Sequence, residues 1–342
     1  MDHNIQKALQ TAIREVDGFV DDLEEGLNSK TPLSADFDKI FICGMGASAI
    51  GGDIIADLLA QSSSVPISVI RSTNIPKWVD SKAFIIVCSY SGNTHETLAM
   101  YDQAKERGCP MAVISAGGEL TDKCVKDGVP LFPMKKGMQP RNAVGLVVGY
   151  MANIVETIGG AKCKRDIASA IPNLREFMKE INFDNPESYA KVIAKELIGT
   201  VPAIYSTTGI ISSTLRWQTQ INENSKMLAF SGSALEFNHN EIVGWAEGDL
   251  KTICRPVFLY ECGSDTSMVM TNASIETLME FGVDPIVVEI PGNTAIERCL
   301  RSIILGDYVS LYLAEIKGVN PLEVRSINHF KNKATEFLCK KC

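Results

Sequence analysis

Short apolar runs alternate with longer stretches of helical periodicity through the first half of the chain. Residues 39–43, 67–70, 84–88, 111–115 and 130–133 are compact, rich in Ile, Val and Phe, and closed by polar or Gly-containing turns. They read as strands, with helices expected over about 47–60, 93–107, 119–126 and 142–158. The strands are apolar almost throughout instead of alternating, which marks a sheet buried on both faces. Strand and helix in alternation then predict an α/β fold, a parallel, doubly wound sheet with helices on either side. Ligands of such sheets bind at the carboxyl ends of the strands.

The first 28 residues place Ile5, Leu9, Ile13, Val16, Phe19 and Val20 at helical spacing, with no apolar core of a secretory signal. Residues 155–198 are helical and charged without a strand candidate, so they are expected to connect two domains, residues 1–155 and 156–342. A second α/β series follows, with strands at 201–205, 252–260 and 285–289 and helices at 212–226, 267–281 and 294–316. A last helix is expected over 321–338. The first loop of this series, Ser206-Thr207-Thr208-Gly209, is again rich in hydroxyls. The halves read as one architecture used twice, its sequences diverged.

Two turns of the first half carry candidate chemistry. Ser89-Tyr90-Ser91-Gly92-Asn93-Thr94 follows a strand and opens a helix. Backbone N–H groups and the positive helix end can hold a phosphate there, hydroxyls complete its shell, and Gly92 permits close approach. A simple N-cap turn would also favour Ser, Asn and Thr. A second loop of similar design tips the balance toward a ligand: Gly44-Met45-Gly46-Ala47-Ser48-Ala49-Ile50-Gly51-Gly52-Asp53 also links a strand to a helix. Its Gly44-x-Gly46-x-x-Ala49 is a weak match to the dinucleotide fingerprint. Arg71, Ser72 and Thr73 stand where that fingerprint wants an acid, and no Gly-Lys-Ser/Thr is present for a nucleotide P-loop. Gly46, Ser48, Ser89, Ser91 and Thr94 are therefore the candidate contacts of one small phosphorylated ligand.

Composition narrows the partners. The net charge of −8 over 342 residues argues against nonspecific nucleic-acid binding, which wants a basic face. No apolar run reaches membrane-spanning length. The ten cysteines read as reduced and cytoplasmic, with Cys43, Cys88 and Cys254 inside or at the ends of apolar runs. The terminal Cys339-x-x-Cys342 lacks the second ligand pair of a zinc site and is expected to be an exposed tail.

Four further clusters hold reactive side chains, each with an ordinary structural explanation beside the chemical one. Arg141, in Gln139-Pro140-Arg141-Asn142, could neutralise an anion or merely cap a surface turn. Glu223 sits between Asn222 and Asn224 near a helix end, where Lys226 at i+3 could pair with it. His239, one of four histidines, lies in Glu236-Phe237-Asn238-His239-Asn240-Glu241, a setting suited to proton transfer near neutral pH or to a satisfied loop. Lys331 follows Ile327 by four residues in the closing helix, which could turn its stem inward.

Taken together, the 44–53 loop, Ser89 to Thr97, Pro140-Arg141 and Asn238-His239-Asn240-Glu241 resemble the bifunctional phosphoglucose/phosphomannose isomerases, over nearly the whole chain and in the same order. The resemblance implies two sugar-isomerase (SIS) domains of flavodoxin-like fold and no metal or other cofactor. It implies that Ser89, Ser91 and Thr94 form the loop that binds the 6-phosphate of a sugar, that Ser48 is the substrate-binding serine of the first loop, and that Arg141 stabilises the intermediate. It implies that Glu223 moves a proton between carbons 1 and 2, and that Lys331 assists at the ring oxygen. It further implies a cytoplasmic homodimer in which His239 opens the ring across the subunit interface. Two other classes compete. A non-catalytic SIS-type sugar-phosphate sensor would explain the hydroxyl loops but not the four reactive side chains. A nicotinamide-dependent oxidoreductase would rest on Gly44-x-Gly46 alone.

Overall fold

Gly18 divides the amphipathic amino-terminal stretch into α1 (His3–Asp17) and α2 (Phe19–Leu27), and the Asp2 carboxylate caps the first by accepting from Asn4 N–H at 2.7 Å. The computed structural model describes residues 2–207, 209–261 and 266–339. Thr208 of the Ser206–Gly209 loop lies outside them, and the terminal Cys-x-x-Cys runs past the last of them.

The first α/β series comprises β1 (Lys39–Cys43), α3 (Ala47–Leu59), β2 (Ile67–Ile70), β3 (Ala83–Ser89), α4 (His95–Glu106), β4 (Met111–Ser115), α5 (Gly118–Asp127) and β5 (Leu131–Pro133). A 3-10 turn (Pro140–Ala143), α6 (Val144–Thr157), α7 (Lys164–Ile181) and α8 (Tyr189–Leu197) follow. The second series contains β6 (Val201–Ser206), α9 (Ile211–Ser225), β7 (Phe230–Ser233), α10 (Ala234–Phe237), α11 (Glu241–Glu247), β8 (Cys254–Tyr260), α12 (Thr266–Glu280), β9 (Ile286–Glu289), α13 (Ala295–Lys317) and α14 (Arg325–Cys339).

Both sheets are parallel. The first has the order β2-β1-β3-β4-β5 and the second β7-β6-β8-β9, the same order without a fifth strand among the described residues. Side-chain alternation sorts each sheet onto two cores. Ile40, Ile42, Phe84 and Ile86 point into one large core together with Ile204, Val257 and Leu259 of the second sheet and the apolar faces of α1–α3, α6–α9 and α13. Phe41, Cys43, Ile85 and Val87 face α4 and α5 on the outside. Ala203, Tyr205 and Phe258 face α10–α12. The inner helices of the two sheets thus pack against each other in one continuous core, and each sheet is covered on its far side. Helix α6 is buried at every position from Val144 to Val155, which its apolar sequence anticipates. It touches α2 backbone to backbone: a Cβ on Gly149 would stand 2.4 Å from Leu23 O, and one on Gly26 2.7 Å from Leu146 O.

In the first sheet the chain direction of build-up reverses between β1 and β3, so a crevice opens outside their carboxyl ends. The two hydroxyl-bearing loops stand there. The second sheet contains a strand, β7, that the sequence pattern did not reveal.

Candidate functional site

The loop after β1 turns on Gly46, whose φ of 51° and ψ of −129° exclude a side chain with Cβ. This places Ser48, largely buried, in the first turn of α3. The loop after β3 packs beside it, and Tyr90 N–H donates to Ser48 Oγ at 3.4 Å. Ser89, 2% exposed, donates from Oγ to Thr94 Oγ1 at 3.1 Å and accepts from Gly92 N–H at 3.2 Å. Ser91 is exposed and its Oγ accepts from Asn93 N–H at 3.2 Å. Gly92 has φ 66°, and a Cβ there would lie 1.7 Å from Gly117 O. Neither Gly46 nor Thr94 supplies a side-chain cap to the helix it precedes. Two helix N-termini with hydroxyls beside them thus converge on one crevice, the arrangement that favours an anion.

Tyr90 ties this crevice to the next part of the site. Its hydroxyl donates to Lys135 O at 2.8 Å and accepts from Met138 N–H at 2.9 Å, fixing the segment that leads to Arg141. On the other side of that turn, the Glu15 carboxylate of α1 accepts from Gln139 N–H at 3.2 Å and from Asn142 Nδ2 at 2.7 Å. Arg141 is therefore braced from both flanks. It is not a surface cap: only 3% of it is exposed. Its Nε donates to Asn224 Oδ1 at 2.8 Å, Nη1 to Gln139 Oε1 at 3.2 Å and to Glu223 Oε2 at 3.1 Å, and Nη2 to Pro321 O at 2.5 Å. Burial pulls the Arg141 pKa down, and the Glu223 carboxylate opposes that shift.

Glu223 arrives from the other half, on α9. The N-cap residue of that helix, Ile210, makes no side-chain cap bond; Asp57 of α3 supplies one instead, accepting from Ser212 N–H at 2.6 Å. Deeper on α9, Arg216 and Asp307 of α13 form a buried two-bond pair at 2.9 and 2.8 Å. Asn224 donates from Nδ2 to Ser310 Oγ at 2.9 Å, which turns its Oδ1 toward Arg141. Glu223 is partly exposed, and Oε1 carries no hydrogen bond among the described residues. Beside it lies a cavity of about 680 Å³, lined among others by Lys226, Met227, Leu228, Glu323 and Ile327. Lys226 does not pair with the Glu223 carboxylate, as its i+3 spacing suggested; its Nζ donates to the Glu223 main-chain carbonyl.

The other two candidates stand apart. His239 is exposed in the turn after α10, and its ring makes no hydrogen bond to Arg141, Glu223 or Lys331 among the described residues. Lys331 is exposed as well. The inward orientation that its spacing from Ile327 allows does not occur within this chain: every described side chain of α14 except Ala334 is exposed, because no described element covers that helix. Sequence reasoning missed Glu15, Tyr90 as a tether, Asn224 and the Pro321 carbonyl. Asn224 and Gln139 lay inside stretches already singled out, whereas nothing in α1 marks Glu15. Among the described residues no group of three His, Cys, Asp or Glu side chains is placed to hold a metal ion.

A family model described as the bacterial phospho-glucose isomerase C-terminal SIS domain matches residues 186–333. The chain is 30% identical over 330 residues to the bifunctional phosphoglucose/phosphomannose isomerase of Aquifex aeolicus (strain VF5), covering 95% of this chain and 98% of that one. It is 34% identical over 326 residues to the protein of the same name from Caldicellulosiruptor bescii, covering 92% and 94%. Among solved structures, the C-terminal domain of glucosamine-fructose-6-phosphate aminotransferase from Francisella tularensis superposes with a TM-score of 0.69 at 14% identity, covering 93% of this chain and 97% of that chain. That last likeness shows the shared fold.

Proposed function

The chain belongs to the bifunctional phosphoglucose/phosphomannose isomerase family, and we propose from that premise that it interconverts glucose 6-phosphate and mannose 6-phosphate with fructose 6-phosphate. The 6-phosphate sits on the N-termini of α3 and α4, with Ser48, Ser89, Ser91 and Thr94 around it. Remote binding of the phosphate positions the reacting carbons at the Glu223 cavity. After ring opening, the Glu223 carboxylate takes the proton from carbon 2. The electron pair moves into a cis-enediol(ate), and the same proton returns to carbon 1. Arg141, held rigid by four acceptor groups, faces the developing oxyanion.

The observation that carries this reading is the meeting of Arg141 and Glu223 at 3.1 Å from opposite halves of the chain. It holds one carboxylate oxygen and leaves the other toward the cavity. His239 and Lys331 act on the ring oxygen and the carbon-1 hydroxyl, with His239 delivered by a second copy in a homodimer. Its exposure in the single chain supports that assignment. The enzyme works in the cytoplasm without a metal. No helix of the described residues is long and apolar enough to cross a membrane.

Glu223→Gln tests the proposal. Turnover should fall at least about a hundredfold while sugar-phosphate binding persists. Near-wild-type turnover in that variant overturns the assignment. Binding without turnover in the wild-type protein would leave a sugar-phosphate sensor.

A further inference from the structure

Lys226 is the one non-glycine residue with positive φ among the described residues, at φ 52° and ψ 40°. It closes α9 three residues after Glu223. Glycine or asparagine ordinarily takes this left-handed position, because a Cβ is strained there. A lysine in such a place needs a reason in its side chain.

The side chain reaches two carbonyls. Nζ donates to Glu223 O, an otherwise open acceptor in the last turn of α9, and to Pro321 O at 3.4 Å. Pro321 O is also the acceptor of Arg141 Nη2 at 2.5 Å. One carbonyl thus joins the cation of the first half to the end of the helix that bears Glu223. Pro321 stands in the link between α13 and α14, so the same carbonyl sets where α14 departs. Lys226 and residues 323–327 then form facing walls of the cavity beside Glu223. From α13, Lys317 Nζ donates to Lys226 O at 3.1 Å and fixes the strained residue from behind.

We propose that Lys226 is a positioning residue of the isomerase site: its ammonium clamps the carboxyl end of α9 to Pro321 and so fixes the distance between Glu223, Arg141 and the root of α14. The proposal rests on the isomerase reading above. The clamp operates while the amine is charged. Although the residue as a whole is exposed, burial of its ammonium pushes the pKa down to about 8, and repulsion from Arg141 adds to this. Glu223, Glu323 and Lys317 are the other charged groups that face it. Turnover should therefore decline on the alkaline side as the amine loses its proton.

Two variants test the clamp, with turnover, KM for fructose 6-phosphate, melting temperature and the pH profile of kcat as readouts. In Lys226→Gly the backbone strain is relieved, so the melting temperature stays or rises. Yet kcat should fall roughly tenfold or more, through loss of alignment, with KM changed by less than about twofold. In Lys226→Arg the donors and the charge remain. There kcat should stay within about threefold of wild type, and the alkaline limb should move up by at least about one pH unit, since arginine stays protonated. Wild-type kcat in Lys226→Gly, or an alkaline limb unmoved in Lys226→Arg, overturns the proposal. Should Lys226→Gly fail to fold, the arginine variant decides alone. Glu223→Gln run in the same assay separates the two layers of argument: an inactive Glu223→Gln beside an active Lys226→Gly removes only the clamp. A wild-type protein as inactive as Glu223→Gln removes the isomerase reading itself.

Discussion

Arg141 Nη1 and Glu223 Oε2 stand 3.1 Å apart although 82 residues separate them in the chain. Neither half of the molecule contains both groups. The guanidinium comes from the 3-10 turn after the first sheet, the carboxylate from the helix after the first strand of the second.

Arg141→Lys should show that geometry, not charge alone, is needed. A lysine has no planar fork and cannot satisfy Asn224 Oδ1, Glu223 Oε2 and Pro321 O together. Turnover should fall by about a hundredfold or more, the range found when one oxyanion donor is removed. Retention of more than a tenth of wild-type kcat in steady-state assays would contradict the role given to Arg141.

The hydroxyls at the crevice differ in what they support. Ser91 is exposed and structures only its own turn through Asn93 N–H. Ser91→Ala should therefore raise KM for sugar 6-phosphates more than it lowers kcat, because a phosphate contact is made equally in ground and transition states. The opposite pattern would mean that this turn does not hold the phosphate.

Gly92 cannot be replaced. Alanine would meet Gly117 O at 1.7 Å and would also have to adopt φ 66°. Overpacking and left-handed strain together should cost at least about 2 kcal/mol. Urea denaturation of Gly92→Ala is expected to show the loss, along with weakened phosphate binding. An unchanged midpoint would refute the close approach of the two loops.

Asp57 links stability to pH. Burial holds its carboxyl above the ordinary carboxylate range, with the Ser212 N–H opposing. The folded state thus keeps this proton to higher pH than the unfolded chain does. The contribution of Asp57 to stability is full at acidic pH and is lost as pH rises through the raised pKa. Asp57→Asn keeps an acceptor for Ser212 N–H and removes the ionisation. Its melting temperature relative to wild type should accordingly increase from about pH 4 upward and then level off. A difference that shrinks with rising pH would show that the Asp57 carboxyl is not raised in the folded chain.

Much of the fold was legible because its strands are short, apolar and separated by helices of ordinary length. Strands β1, β2 and β4 fall where the apolar runs end. Strand β7 was not legible: Phe230-Ser-Gly-Ser has one large apolar residue, and Phe230 is itself exposed. That strand exists because β6 offers a free edge at Ala203–Ser206, a tertiary cause that no local pattern records. The break between α1 and α2 had only Gly18 as its sign. At the site, the hydroxyl loops were readable since a turn advertises itself locally. The bracing of Arg141 was not, because Glu15, Asn224 and Pro321 lie 126, 83 and 180 residues away from it in sequence. The exposure of Lys331 within this chain was not legible for a related reason: spacing tells which face of a helix a residue occupies, not whether anything covers that face.

The continuous core that joins the two halves has a consequence for modularity. In that core α3, which packs on the first sheet, meets α9, which packs on the second, and α13 touches both helices, so neither repeat owns a complete core. A gene fragment encoding one half would expose the wall that the other half normally covers, and would be expected to aggregate when expressed alone. Calorimetry of the intact chain should show one endotherm in place of two. The duplication survives in the order of the strands, while the shared core should make the pair fold and melt as one unit.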